Sequence, residues 1–435
     1  MEVLEKEAPP VTTKSEIDAT YKYWRTRILY TSFIGYAVYY VCRVNISMAL
    51  PGMEADLGFN KIQLGLVVSA LQITYALGKF LNGILSDRSN PKYFMAIGLF
   101  MSGIANLIFG VTTSLWILVL LWGLNGWFQS MGFPAGARSL SHWYSPKEYG
   151  KIWGIFGTSH QLGAAIIYIS GGYLILSGWQ NAFIAPSFLA ILTSVFLFIR
   201  LTNIPEKIGL PPVEEYKGEK SRLIPEKLTG SKAVKNQLLA RVIKNKFIWF
   251  TAMGNLFLYI VRYGIMTWAP TFVSATKGVT ITESGWVLAA YEVIGILGIL
   301  FSGYLSDRTF KARRGPIMAI FMFLLSFFVF LFLIVPYGST WLILIIISVC
   351  GFLASGALML VSVAAATFAG KELAASGAGF TGFWGYIGAT LSGVGIGWAA
   401  ETYGWEWAFA LIIASCLLSA AFFALTWNAK PKIEI

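Results

Sequence analysis

Long apolar runs separated by short polar connections set the pattern of this chain. A membrane-spanning helix takes about 20 apolar residues. Twelve runs meet that length, at about 28–50, 63–85, 93–113, 115–137, 152–176, 180–201, 247–274, 285–305, 316–336, 341–368, 374–399 and 406–427. They are continuous and do not alternate, so they predict helices and not the strands of a membrane barrel. The predicted fold is an all-α membrane protein of twelve transmembrane helices.

The pattern repeats. The second run ends in Gly83-Ile-Leu-Ser-Asp87-Arg88 and the eighth in Gly303-Tyr-Leu-Ser-Asp307-Arg308, 220 residues later. Tyr40-x-x-Arg43 in the first run returns as Tyr259-x-x-Arg262 in the seventh, 219 residues later. Two six-helix bundles in parallel, pseudo-symmetric repeat follow. The expected division is a tail over 1–27, a first bundle over 28–202, a linker over 203–246, a second bundle over 247–428 and a tail over 429–435. The linker holds Pro205, Pro211, Pro212 and Pro225, is rich in basic residues, and reads as partly helical near Ser231–Ile243. It carries no nucleotide-binding pattern, which argues against an ATP-driven pump. Asp87 with Arg88, and Asp307 with Arg308, suit tight, charge-braced turns between neighbouring helices and are candidate gating pairs.

Composition supports the membrane reading. Only 12% of the residues are charged and 56% are hydrophobic, against about 25% charged in a soluble globular protein. Met1–Thr20 is polar and mixed in charge, without the basic and apolar regions of a cleaved signal peptide. Cys42, Cys350 and Cys416 all fall in apolar runs without metal-ligand spacing and read as small packed hydrophobes. The net charge of +12 is a matter of placement, not of nucleic-acid binding: Lys61 and Lys277 are the only basic residues in odd-numbered connections. The positive-inside rule then puts both termini in the cytoplasm. The glycines of Gly377–Gly397 let helices approach closely and slide. Gly377-x-Gly379 is no phosphate loop, since no strand precedes it and no Lys-Ser/Thr follows. No nucleophile–base pair or metal cluster points to an enzyme.

The charges left inside the runs carry the chemistry. They are Arg43, Lys79, Arg262 and Glu292, with His160 beside them. Three uncompensated cations in a bilayer cost on the order of 8–10 kcal/mol even on the lenient insertion scale. Glu292 offsets one at most, so the expected site lacks two negative charges. A phosphate monoester supplies about −1.5 to −2 near neutral pH. Tyr36, Tyr40 and Arg43 are spaced four and three apart, and Tyr75 and Lys79 four apart, each set on one helix face. Arginine grips phosphate oxygens with a planar fork and lysine with a point charge. His160 is expected to bond substrate and to titrate as the phosphate changes charge. Glu292 is expected to exchange partners with one of the arginines when substrate arrives.

At Tyr40-x-x-Arg43-x-Asn45, at Gly78–Lys92 (G-K-F-x-x-G-x-x-S-D-R-S-N-P-K) and at Arg262-Tyr-Gly-Ile, the chain resembles the organophosphate:phosphate antiporters of the major facilitator superfamily. That family includes bacterial glycerol-3-phosphate and hexose-6-phosphate transporters and related sugar-phosphate sensors. The likeness extends to Gly209–Tyr216 and Gly379–Gly388 and covers nearly the whole chain. It implies that Arg43 and Arg262 hold the phosphate with Lys79 and His160 nearby, and that Tyr36, Tyr40, Tyr75, Tyr259 and Tyr386 line the pathway. It also implies exchange of an organic phosphate for inorganic phosphate by alternating access, with the lipid bilayer as the other partner. No cofactor, metal or nucleic acid is expected, and the protein is expected to act as a monomer in a bacterial inner membrane.

The stretches Ser15–Arg25 and Ser86–Phe109 resemble the hexose-phosphate branch most, which favours glucose-6-phosphate. Gly209–Tyr216 also resembles glycerol-phosphate members, so glycerol-3-phosphate stays open, as does a sugar-phosphate sensor of the same fold. Many relatives carry Arg-Lys in the first span and an acid five residues past the second arginine. Here those positions are Val44 and Thr267.

Overall fold

In the computed structural model, which describes residues 13–145, 147–218, 242–370 and 373–429, each apolar run becomes one helix or two in succession. The first run is α1 (Lys14–Val44) and α2 (Ile46–Leu57). Then come α3 (Lys61–Asp87), α4 (Pro91–Gly110), α5 (Leu115–Gln129), α6 (Gly132–Trp143), α7 (Tyr149–Leu174) and α8 (Asn181–Arg200). After the one-turn α9 (Val213–Tyr216), the second half holds α10 (Lys246–Thr276), α11 (Ile281–Thr309), α12 (Arg314–Ile334), α13 (Thr340–Ala369), α14 (Ala374–Thr402) and α15 (Trp405–Ala424). Among the described residues nine helices are long and apolar enough to cross a membrane, α1 and α2 taken as one. The other three expected spans are α7, α14 and the pair α5–α6, whose run is interrupted at Ser130–Met131.

The two halves pack alike. In the first, α4 lies against α8, α3 against α5 and α1 against α7; in the second, α12 lies against α15, α11 against α13 and α10 against α14. Their start signals repeat too. Asn60 and Gln63 form a capping box that opens α3, and Thr280 and Glu283 form one that opens α11. Each box satisfies two backbone N–H groups that the first helical turn leaves without partners.

The halves meet along two lines, α3 against α14 and α7 against α11. Glycine permits both crossings at positions related by the repeat. A Cβ on Gly65 would stand 2.5 Å from the Gly393 carbonyl oxygen, and one on Gly285 would stand 2.2 Å from that of Tyr168. On the first of these lines Ser69 Oγ donates to Thr390 O at 2.8 Å. At the same end Lys61 Nζ reaches Glu54 at 2.7 Å and Glu401 of the other half at 3.3 Å. The Lys61 backbone N–H also donates to Glu401, at 3.1 Å. Half-exposed ion pairs contribute no more than about 1 kcal/mol, so the glycine contacts are the larger part of this seal. Gly65→Val is expected to force the Lys61 ends apart. In a Gln72→Cys background, labelling by an impermeant maleimide from that face should become several-fold faster. An unchanged rate would refute the seal.

The structure changes the picture at the opposite end. The first helix begins at Lys14, well before the expected residue 28, because 14–27 has something to pack on. Tyr21 stacks on Tyr216 with ring centroids 4.0 Å apart, Leu210 and Val213 are buried, and Trp143 Nε1 donates to Asn203 O at 3.1 Å. The first part of the expected linker is therefore folded against the first bundle. Arg25 and Lys217 both pair with Glu148. Partial burial pushes the Glu148 carboxyl up, but hydrogen bonds from Arg25 and the Ser145 N–H outweigh it and hold the group below its ordinary value. The helix expected near Ser231–Ile243 falls almost wholly outside the described residues, as does the tail over 429–435.

The second of the charge-braced turns is corrected. Asp307 pairs with Arg314 at the start of α12, while Arg308 Nη1 donates to the Tyr304 hydroxyl. Adjacent residues on a helix do not face each other, whereas a residue four back does. Asp87 closes α3, and its side chain lies outside the described residues. Arg88 is exposed, with its backbone N–H bonded to the Leu85 and Ser86 carbonyls.

Candidate functional site

Arg43 is in the last turn of α1 and Arg262 lies mid-way along α10, the matching helix of the other half. Both are buried, each 4% exposed. They line two adjoining cavities that share Val44, Tyr263 and Met266 as walls. One is lined by Tyr40, His160, Tyr259, Arg262 and Tyr386 among others. The second is lined by Arg43, Ser47, Gln72, Tyr168 and Thr267 among others. Both halves contribute to each, so the arginines face a common chamber at the meeting of the bundles.

Their surroundings differ. Arg262 Nη2 contacts both oxygens of Glu292, at 3.0 and 3.2 Å, and its Nη1 donates to Ser355 Oγ at 2.9 Å. Glu292 is fully buried. The pair is thus neutral overall, with its guanidinium fixed on two sides. Arg43 has no carboxylate partner among the described residues. Its Nη2 donates to the Tyr386 and Tyr263 hydroxyls, at 3.2 and 3.4 Å. Its Cζ lies 3.9 Å from the Tyr75 ring centroid and 5.1 Å from that of Tyr40, and its buried Nε has no partner. Aromatic faces stabilise a desolvated guanidinium by about 2 kcal/mol or more each. They do not neutralise it.

Of the other expected residues, Lys79 is exposed on α3 with its ammonium 5.3 Å from the Tyr386 ring that also flanks Arg43. His160 is half-buried on α7, its ring 4.9 Å from Tyr40. Tyr386 is the hub, 4.8 Å from Tyr75 and 5.4 Å from Tyr259. Tyr36 lines neither cavity; it packs 5.2 Å from Phe156 and 5.6 Å from Tyr40, one turn away. Sequence reasoning missed Tyr263, although it directly follows Arg262 in the repeated motif. It also missed Ser355, which stands in a run of small residues and carries no local signal.

The net result is a chamber lined by two arginines, with one carboxylate behind Arg262 and the exposed Lys79 beside Tyr386. The carboxylate is spent on Arg262, which leaves Arg43 and Lys79 without a counter-charge among the described residues. Such an arrangement leaves positive charge at the meeting of the two halves that no described carboxylate matches.

Comparison with known proteins agrees with this architecture. The family model described as Major Facilitator Superfamily matches residues 32–393. A "Probable hexose phosphate transport protein" of Chlamydia pneumoniae is 36% identical over 438 residues, covering 98% of this chain and 96% of that protein. The "Glycerol-3-phosphate transporter" of Bacillus subtilis (strain 168) is 37% identical, covering 97% and 96%. The "Membrane sensor protein UhpC" of Escherichia coli (strain K12) is 35% identical, covering 98% of both. Among solved structures, a bacterial homolog of the human lysosomal transporter Spinster shares the fold, with a TM-score of 0.76 at 16% identity over 93% of this chain and 97% of that one.

Proposed function

This chain belongs to the major facilitator superfamily, and we propose that it is one of its organophosphate:phosphate antiporters, exchanging an organic phosphate for inorganic phosphate across a bacterial inner membrane. It is a multi-pass membrane protein and not an enzyme. The observation that carries the proposal is the unmatched Arg43 in a chamber whose one carboxylate is already held by Arg262. With Lys79 the surplus is two positive charges. That suits a phosphate monoester, at about −1.5 to −2, better than a monocarboxylate or a cation.

In this reading Arg43 and Arg262 grip the phosphate from the two halves, Lys79 adds a point charge, and His160 and the tyrosines Tyr40, Tyr75, Tyr259 and Tyr386 bond its remaining oxygens. Tyr36 supports Tyr40 from behind. Without an anion, cations of both halves oppose each other at low dielectric, which disfavours the closed intermediate. A bound phosphate bridges them, so the carrier changes sides only when loaded. The driving force comes from the substrate gradients, because a ligand shifts such an equilibrium only through differential binding. The basic ends of the helices lie in the cytoplasm, and the Lys61 end, where the halves are sealed, lies outside. The organic substrate is a hexose phosphate, glucose-6-phosphate first, in keeping with the Chlamydia relative; glycerol-3-phosphate is the alternative that the Bacillus relative supports.

Vesicles reconstituted with the protein and loaded with labelled inorganic phosphate are expected to release label when glucose-6-phosphate is added outside, at a lower concentration than glycerol-3-phosphate requires. The reverse order would reassign the substrate. The similarity to a membrane sensor supports a second reading, in which the same site binds sugar phosphate and signals. Binding without any counterflow would favour that reading and overturn exchange.

A further inference from the structure

Asn45 closes the Tyr40-x-x-Arg43-x-Asn45 motif, yet it touches neither cavity. It stands at the single residue that separates α1 from α2, where the Met48 N–H bonds Asn45 O with the tighter three-residue spacing, at 3.2 Å. In an unbroken helix the Cys42 carbonyl would accept the N–H four residues on. Here it accepts two side-chain amides, Asn106 Nδ2 at 3.2 Å from α4 and Asn125 Nδ2 at 2.9 Å from α5.

The amides are themselves tied. Asn45 Nδ2 donates to Asn106 Oδ1 and to Ala182 O of α8, both at 2.9 Å. Ser102 Oγ donates to Asn125 Oδ1 at 2.7 Å. All four side chains are fully buried. A buried amide left without a partner costs about 1–3 kcal/mol. Two of them, Asn106 and Asn125, bond the carbonyl of the peptide that precedes Arg43, and Asn45 holds Asn106 in turn.

We propose that Asn45, Asn106 and Asn125 are positioning residues for Arg43. They hold the Cys42 carbonyl and with it the last turn of the first helix, and thereby set the guanidinium between the Tyr386 and Tyr263 hydroxyls and the anion. The inference rests on the phosphate-exchange reading and adds residues that never touch substrate.

The test is titration of purified, full-length protein with inorganic phosphate. Asn125→Ala and Asn106→Ala are each expected to weaken binding about tenfold. Tyr386→Phe, which removes one hydroxyl from Arg43, is expected to weaken it about threefold. The double variant Asn125→Ala/Tyr386→Phe should then be only about tenfold weaker than wild type, because a displaced Arg43 no longer feels Tyr386. A merely structural role lowers the melting temperature but gives additive losses, about thirtyfold in the double variant. Additivity, or unchanged binding in the asparagine variants, overturns the proposal. Should those variants fail to fold, Ser102→Ala serves, with an expected loss of about threefold that is likewise absent on top of Tyr386→Phe. Wild-type protein that binds no phosphate would overturn the exchange reading first, and this inference with it.

Discussion

Arg43→Ala is expected to weaken phosphate binding by about 30-fold to a few thousand-fold while leaving the protein folded. The range follows from the cost of truncating one partner of a desolvated charge pair, about 2–5 kcal/mol, at 1.4 kcal/mol per tenfold. The second half of the expectation comes from the surroundings of Arg43. Its contacts inside the protein are tyrosine hydroxyls and ring faces, with no carboxylate among the described residues. Removing it therefore strands no buried anion. Arg262→Ala is expected to differ, because it leaves Glu292, fully buried, without its cation. Breaking a buried pair from one side costs about 3–5 kcal/mol of stability. Melting of the purified proteins should thus separate two substitutions that look equivalent by the repeat, Arg43→Ala near wild type and Arg262→Ala well below it. Arg43→Lys keeps the charge but not the fork, and should bind phosphate about tenfold less tightly. Equal melting of the two alanine variants, or unchanged phosphate binding in Arg43→Ala, would remove the basis of the proposed site.

How much of this was legible before any coordinates depends on whether the information is local. Helix length and the 220-residue repeat are written in single runs and pairs of runs, so the helices and their division into two halves follow from the sequence. Of the charges read as deep, Arg43, Arg262 and Glu292 are buried, whereas Lys79 is exposed. Which acid meets which cation is not local. Glu292 goes to Arg262 and Asp307 goes to Arg314, and each choice is made by the packing of one helix on another. Periodicity assigns a residue to a face of its helix; it does not say what that face meets. Tyr36 shows the difference, for it shares a face with Tyr40 and Arg43 but is turned into aromatic packing around Phe156. The docking of Gly209–Tyr216 beneath the first bundle was hidden for the same reason. Its prolines and charges read as a linker, whereas Leu210 and Val213 are buried among residues from α1 and α6.

Glu292→Gln tests whether the Arg262 pair is an active part of the exchange or a fixed strut. In the structure the carboxylate occupies the guanidinium edge that a phosphate would need. For the anion to be gripped from both halves, Arg262 must divide its donors between Glu292 and phosphate or leave Glu292 altogether. Either way Glu292 weakens phosphate binding and speeds phosphate release, since Arg262 has an internal anion to return to. Removing that anion should tighten phosphate binding by about tenfold, the worth of one additional hydrogen bond to a charged group at about 1.5 kcal/mol. Turnover in the vesicle exchange assay should fall, because release would now leave Arg262 bare at low dielectric. The unliganded variant should also melt lower than wild type, by the logic of a pair broken from one side. Saturating phosphate should then restore more stability to it than to wild type, since ligand stabilisation grows as RT ln(1 + [L]/Kd). A fixed strut makes the opposite statement: phosphate binds Glu292→Gln no more tightly than wild type, and phosphate does not rescue its melting. Tighter binding joined to slower exchange is the signature of a carboxylate that competes with the substrate for one arginine.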